Sequence, residues 1–528
     1  MRRLLLFLSA SAALIAAACG GSTVVAPPPP TGSFSNSNLK GQYTFSMAGE
    51  DLNGFSIARV GSFIADGAGK ISSALEDVND EGAAVQTVSF SGGTYSIDPN
   101  GHGTLQFLQG TTVALQFSVV LSSTSQGQLI QTDLNATSSG SFTLASASTP
   151  ATFSLSQING NYVFDVSGVQ AVQAVPLSDV GLSIVGQLKT NGSTVSGGVL
   201  DENDGQNGPS GPLVIASGNS YQLDPSNGNG TNFGRGTISI TAGGSTLNFV
   251  FYIVDATRFK LLETDAGLLT SGDAILQGTV PTQSSGFTGS FVTLVGGSDS
   301  SGPLAEVGRF TADGSQNLNS LSFDVNESGT LSSTITSANS TSPVYQIDTT
   351  NAGSGRGTMS FSTTVLNLGQ LNFVFYLISP TQGFIQDTST SVVADGSFEA
   401  QSAGPFTASS VAGNYAVGWS GVSLSFAFEE DFVGQYVLPL PSSQQHNGAI
   451  DIVELGSTGK NFIPVDPVTL TLNINGDGTG SNPQYDFQTA DAPTTDFKFK
   501  AYFVSQQKVY LLGNIPTSIT LGVATRQQ

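Results

Sequence analysis

One cysteine, one tryptophan, two histidines and sixteen basic side chains are all that 528 residues supply of these types. A solitary cysteine, Cys19, excludes an intramolecular disulfide. The histidines, His102 and His446, stand in unrelated contexts without a His-x-x-His spacing or a Glu partner. A zinc centre needs three or four convergent ligands, so none is expected. Against 38 Asp and Glu the net charge is −22, and no cluster of Lys or Arg occurs. Phosphate contacts need a basic face, which removes nucleic acid from the candidate partners. The acidity itself reads as solubility. After residue 18 no apolar run reaches the roughly 18 residues of a spanning helix.

Charged residues make up only 10% of the chain, yet 33 phenylalanines and 64 glycines are present. A disordered chain would be charge-rich and aromatic-poor. Frequent glycine, threonine, valine and phenylalanine suit strands and tight turns instead.

These residues are organised by repetition. "GQYTFSMAG" at Gly41 returns as "GNYVFDVSG" at Gly160, "GSFVTLVGG" at Gly289 and "GNYAVGWSG" at Gly413. Further landmarks follow in the same order. "VGSFIADG" at Val60 matches "VGQLKTNG" at Val185 and "VGRFTADG" at Val307, with a faint echo at Val433. Then come an acidic segment, a Tyr-containing strand ("GTYSI", "NSYQL", "PVYQI") and an apolar strand such as "LNFVFYIV". Ordered recurrence at about 120 to 130 residues is internal duplication, too long for a solenoid unit. The expected domains are residues 34–149, 150–281, 282–402 and a divergent 403–528.

The alternation is that of strands. Tyr43, Phe45 and Met47 share one face, and Gln42, Thr44 and Ser46 the other. "LNFVFYIV" is apolar on both faces, so it should lie against a neighbouring domain or covering segment. Asp-Gly and Asn-Gly pairs mark hairpin turns. No segment has helical periodicity. About eight strands per repeat predict an all-β fold of four tandem antiparallel domains. Each is expected as an eight-stranded up-and-down barrel, with a two-sheet sandwich as the alternative.

The opening "MRRLLLFLSASAALIAAACGG" has a basic start, an apolar run and small residues before Cys19. This stretch resembles a bacterial lipoprotein signal, with residues 1–18 as signal peptide. The resemblance implies acylation of Cys19, which becomes the mature N-terminus. It departs from the family at Ala16, where Leu is usual. Gly20, rather than Asp, implies the outer membrane, on its periplasmic or surface side. Residues 19–33 would form a tether, with Pro27–Pro30 an extended rod that holds the first domain off the lipid. "SNSNLKGQYTF", "SLSQINGNYVF" and "TASSVAGNYAV" resemble the turn and Gly-x-aromatic that open lipocalin- and avidin-type barrels. Tyr43, Tyr162, Phe291 and Tyr415 stand where tryptophan is usual. The landmarks as a set resemble secreted bacterial lipoproteins with repeats of unassigned function.

Chemistry-bearing motifs are sparse. His102, in "PNGHGT", reads as a turn residue. No Gly-x-Ser-x-Gly elbow precedes a helix, and no carboxylate pair stands apart from turn-like runs. The best candidates are three Asp-x-Asn segments: Asp77 and Asn79, Asp201 and Asn203, Asp324 and Asn326. Oxygen-rich turns of this kind can hold calcium, although the twelfth EF-hand position falls on Val88, Pro212 and Ile335. The alternative is a polar hairpin tip whose Asp and Asn cap their own turn. Trp419 could line a ligand cavity or pack in a core. The expected function is non-enzymatic: a lipid-anchored rod of β-domains acting as a structural or interaction array. The alternatives are small-ligand or glycan binding inside a barrel, a hydrolase, and a large transmembrane barrel.

Overall fold

The computed structural model describes residues 32–81, 83–149, 151–172, 178–224, 233–332, 334–424, 428–438, 447–456, 459–468, 473–480 and 498–528. The signal, Cys19, the proline run and His446 lie outside this set. Its secondary structure is strands, plus short 3-10 turns such as Asn36–Asn38, Leu155–Gln157 and Ser284–Gly286. None of its helices is long and apolar enough to cross a membrane.

Four antiparallel sheets follow one another along the chain. The first contains β1 (Lys40–Asp51), β2 (Ser56–Asp66), β3 (Lys70–Asp80), β4 (Gln86–Phe90), β5 (Gly92–Ile97), β6 (His102–Gln109), β7 (Thr112–Leu121), β8 (Gln126–Gln131) and β9 (Ala136–Ser146). Eight of these close into an up-and-down barrel, with β9 returning to β1 and β3 pairing with both β2 and β5. The short β4 lies alongside β3. The other sheets repeat the order from Asn159–Val172 to Leu268–Leu276, from Thr288–Asp299 to Val392–Ala400, and from Gly413–Ser423 to Ser518–Arg526. They are less completely closed. Across the equivalent seam the second has the single bridges Thr194–Ser220 and Ile215–Ala242, and the third has Asn317–Val344.

The abundance of glycine and phenylalanine has one structural cause. Cross-strand pairs place a glycine opposite a phenylalanine at Gly61–Phe45, Gly127–Phe142, Gly236–Phe251, Gly308–Phe323, Gly357–Phe375 and Gly383–Phe398. In each pair the ring lies over the glycine, where an added Cβ would fall 2.3–2.7 Å from a ring carbon. Glycine therefore makes room for the ring inside a narrow barrel. Each sheet buries its own aromatic core, such as Tyr43, Phe45, Phe63, Phe107 and Phe142 in the first and Phe287, Phe291, Phe310, Phe375 and Phe398 in the third.

The opposite faces of the strands are not left to solvent. Gln42 and Thr44 are fully buried, and the Thr44 hydroxyl donates to the Ile253 carbonyl of the second barrel at 3.1 Å. Ala58, Val60, Ile64 and Leu75 of the first barrel pack on Val250, Tyr252, Leu262 and Leu269 of the second. Val163, Val185 and Val199 of the second meet Val374, Tyr376 and Ile378 of the third. Val292, Ala305 and Val307 of the third meet Tyr502, Val504, Tyr510, Leu512 and Ile519 of the fourth. Finally, Val120 and Ile130 of the first meet Ala416, Val433 and Val453 of the fourth. The four barrels thus form a closed ring, not the rod expected from tandem repetition. The two-sided apolar strand "LNFVFYIV" supplies the outer face for one of these junctions, which is why it lacks a polar side.

Candidate functional site: the inter-barrel junctions

The Asp-x-Asn segments occupy the ends of the third strand of their barrels rather than hairpin tips. Asp77, Asp201 and Asp324 each sit opposite a landmark valine: Val60, Val185 and Val307. That register turns the carboxylate outward into a junction, where all three are buried.

At the first junction Arg235 of the second barrel grips Asp77 with two bonds, Nε to Oδ2 at 2.7 Å and Nη2 to Oδ1 at 2.8 Å. The Tyr252 hydroxyl donates to Oδ2 at 2.6 Å. Two residues on, the Asn79 amide donates to the Glu263 and Leu268 carbonyls, both at 2.9 Å. The second junction repeats the set. Arg356 binds Asp201 at 2.7 and 2.8 Å, Tyr376 donates to it at 2.6 Å, and Asn203 donates to the Asp387 and Val392 carbonyls at 2.7 and 2.6 Å. Bidentate arginine on carboxylate is among the strongest charge-assisted geometries. Burial alone would lower the Arg235 and Arg356 pKa values, but the facing carboxylates outweigh it and hold both above the ordinary value. Burial, reinforced by the same carboxylates, keeps Tyr252 and Tyr376 protonated far above their ordinary range.

The third junction moves the cation. Thr479 pairs with Tyr502 where the earlier barrels pair Arg with Tyr. Lys500, two residues before Tyr502, reaches Asp324 Oδ1 at 3.1 Å instead, and Tyr502 donates to Oδ2 at 2.7 Å. Asn326 donates to the Gly513 and Ser518 carbonyls at 3.0 Å. Gly329, in the same acidic segment, comes so near Pro516 that a Cβ would lie 2.2 Å from its carbonyl oxygen.

The fourth junction closes the ring, keeping the aspartate and replacing the arginine, the tyrosine and the asparagine. Asp451, opposite Val433, is its carboxylate. His102 occupies the arginine position, pairing with Val120 where tyrosine stands elsewhere, and its Nε2 lies 2.8 Å from Asp451 Oδ2. Ser118, two residues before Val120, supplies the missing hydroxyl and donates to the same Oδ2. Lys460 replaces the asparagine, donating to the Gln131 carbonyl at 2.7 Å and to that of Ala136. Burial lowers the His102 pKa, but the Asp451 carboxylate more than reverses this and the net shift is upward. Burial raises Asp451, but His102 holds it below the ordinary value.

Ser118, His102 and Asp451 have the composition of a hydrolytic triad but not its wiring. The serine oxygen, at 3.2 Å, and the carboxylate both address the same ring nitrogen, Nε2. A triad needs the carboxylate on the other nitrogen, so that the second can take the serine proton. His102 begins β6 and lies in a junction rather than a free turn.

Among the described residues, no three His, Cys, Asp or Glu side chains gather in an arrangement able to hold a metal ion. The carboxylates of the Asp-x-Asn segments instead face cations and hydroxyls of the next barrel. Trp419 belongs to the core of the fourth barrel, stacked on Phe432 at 4.6 Å and edge-on to Phe499 at 5.2 Å. It also borders a cavity of about 320 Å³ where the first, third and fourth barrels meet, with Gln128, Ser139, Leu294, Val433 and Leu521. A shallower groove of about 610 Å³ crosses the third barrel near Gln346, Thr358 and Asn372.

The cationic and phenolic half of each lock was missed by sequence reasoning. Its signal is present: "GRGT" recurs at Gly234 and Gly355 in a chain with only sixteen basic residues, and each arginine lies on the strand that pairs with the following "FVFY" strand.

No family model and no curated protein matches the chain. Among solved structures it is similar to transferrin binding protein B from Haemophilus parasuis Hp5, at 11% identity over 68% of this chain and 74% of that one, with a TM-score of 0.19. Intact Ap-TbpB, with N and C lobes, matches at 11% identity over 71% and 78%, TM-score 0.18. CghA with Sch210972 matches at 10% identity over 70% and 93%, TM-score 0.17. Scores this low carry no argument about function.

Proposed function

We propose that this chain is a lipid-anchored protein of the outer membrane whose four barrels form a non-enzymatic structural and interaction platform. One observation carries the reading: the ionic and phenolic side chains that the repeats bring together are used to join barrel to barrel. The barrel interiors are filled by aromatic rings, which leaves ligand binding inside a barrel without support. The Ser118–His102–Asp451 cluster lacks the base orientation that hydrolysis needs.

The anchoring half rests on the lipoprotein-like signal and Cys19. A tether arriving at Phe34 would enter the ring beside the fourth junction. The Phe34 N–H bonds the Pro99 carbonyl at 3.1 Å, and Gln527 donates to the neighbouring Asn100 carbonyl at 2.7 Å. The expected result for Cys19→Ala is loss of fatty-acid labelling and a shift from the membrane to the soluble fraction, with an unchanged circular dichroism spectrum. Retention of both label and membrane association would contradict this assignment.

A further inference from the structure

Three junctions join barrels that are consecutive in the chain. The fourth joins the first barrel to the last. It also carries the smallest apolar cluster, with Val120 where the other junctions place a tyrosine. Among the described residues, no arginine holds it. On the strand Phe428–Leu438, Asp431 is buried in the junction and Glu429 is half-buried, and Glu50 of β1 faces them. The Glu50 Oε2 accepts the backbone N–H of Glu429 at 3.1 Å. Ser139 of β9 faces Asp431. The neighbouring charges are acidic: Asp51 beside Glu50, Glu430 on the same strand as Asp431, and Glu454 opposite Glu430. Lys460, placed between Asp431 and Asp133, is the cation that faces this group. Asp98 stands near His102. The 320 Å³ cavity lies in the same junction.

We propose that the fourth junction is a pH-driven clasp over this cavity, closed in mild acid and opening as pH rises, while the other three junctions stay shut. Burial pushes Asp431 up to about 7, carries Glu429 well above the ordinary carboxylate value and raises Glu50. When the junction opens these groups regain water and ordinary pKa values. The closed form therefore holds more protons, and each pH unit between the open and closed values favours opening about tenfold per group. His102 acts in the same direction. Its pKa is raised, so its contribution is complete below its ordinary value and is lost as pH rises through the raised one. Asp451 is held low, so its share of the lock disappears only in strong acid. Lys460, lowered to about 8 by burial, opposes opening only above that value. The window therefore runs from roughly pH 5 to pH 8. Acidic pairs also cross the first junction, Glu81 with Asp179, and the second, Asp165 with Asp395. Both of those junctions retain arginine, which does not titrate in this range, and a covalent linker.

In the full chain, the radius of gyration and the maximum dimension measured by small-angle scattering are expected to rise between roughly pH 5 and pH 8.5, from the value of a closed ring, about 23 Å, toward that of an open chain of barrels, about 33 Å. Glu429→Gln with Asp431→Asn, which mimics the protonated pair, should flatten both changes. Glu50→Gln, on the other barrel, should reduce them without touching the fourth barrel's fold. A constant radius of gyration and maximum dimension across this range would overturn the proposal. So would parental pH dependence in Glu50→Gln or in a folded Glu429→Gln/Asp431→Asn pair.

Discussion

Asp201→Ala is expected to destabilise the junction between the second and third barrels by about 3–5 kcal/mol. Asp201 is 4% exposed and takes both Arg356 bonds and the Tyr376 hydroxyl. Its removal leaves a buried guanidinium with only Asp348 nearby, at 3.3 Å, and a buried phenol without an acceptor. The cost comes from the stranded partners more than from the lost pair, because a buried ion pair roughly breaks even against its own desolvation. The double variant Asp201→Ala/Arg356→Met, which removes the stranded cation, is therefore expected to be more stable than Asp201→Ala alone. Urea unfolding checks both. A single variant within about 0.5 kcal/mol of the parent would mean that the lock contributes nothing.

Phe398→Ala is expected to cost about 3–5 kcal/mol within the third barrel. Phe398 is 1% exposed, and its ring lies 5.7 Å from the rings of Phe291 and Phe375 and about 6.2 to 6.3 Å from those of Phe287 and Phe310. Gly383, beneath the ring, has no side chain with which to refill the space. The cavity therefore persists, and its cost adds to the lost transfer energy. Calorimetry should show the first unfolding transition moving down. A loss below about 1 kcal/mol would indicate a loosely packed barrel.

The two variants separate the forces at work. Apolar burial of the order of 1.5–3 kcal/mol per side chain holds each barrel and each junction together. The polar locks add little net energy but fix which surfaces meet and in what register. The junctions show this division. The cation changes from Arg to Lys to His and the hydroxyl from Tyr to Ser, while an aspartate opposite a valine persists in all four.

Much of the barrel was legible in the sequence because strand alternation is local. Tyr43, Phe45 and Met47 face inward as their spacing requires, and "LNFVFYIV" shows two apolar faces because two cores touch it. The junction partners were not legible. Period-two alternation marks Asp77 as outward-facing but does not reveal that Arg235 waits 158 residues away. Asp and Asn are common turn residues, so their appearance together near strand ends was read as turn or calcium chemistry. Asp451 left no Asp-x-Asn trace because Val453 fills the asparagine position and Lys460 performs its task from the next strand. Closure into a ring depends on the summed rotation of four barrel contacts, and no single segment encodes that sum.

Small-angle scattering of the soluble portion, at mildly acidic pH, tests the cyclic arrangement most directly. Four barrels of this size in a closed ring should give a radius of gyration of about 23 Å, and the same barrels set end to end about 33 Å. A value near the first, with a maximum dimension below about 80 Å, is the expected result. A value near the second would show that the first and fourth barrels do not meet.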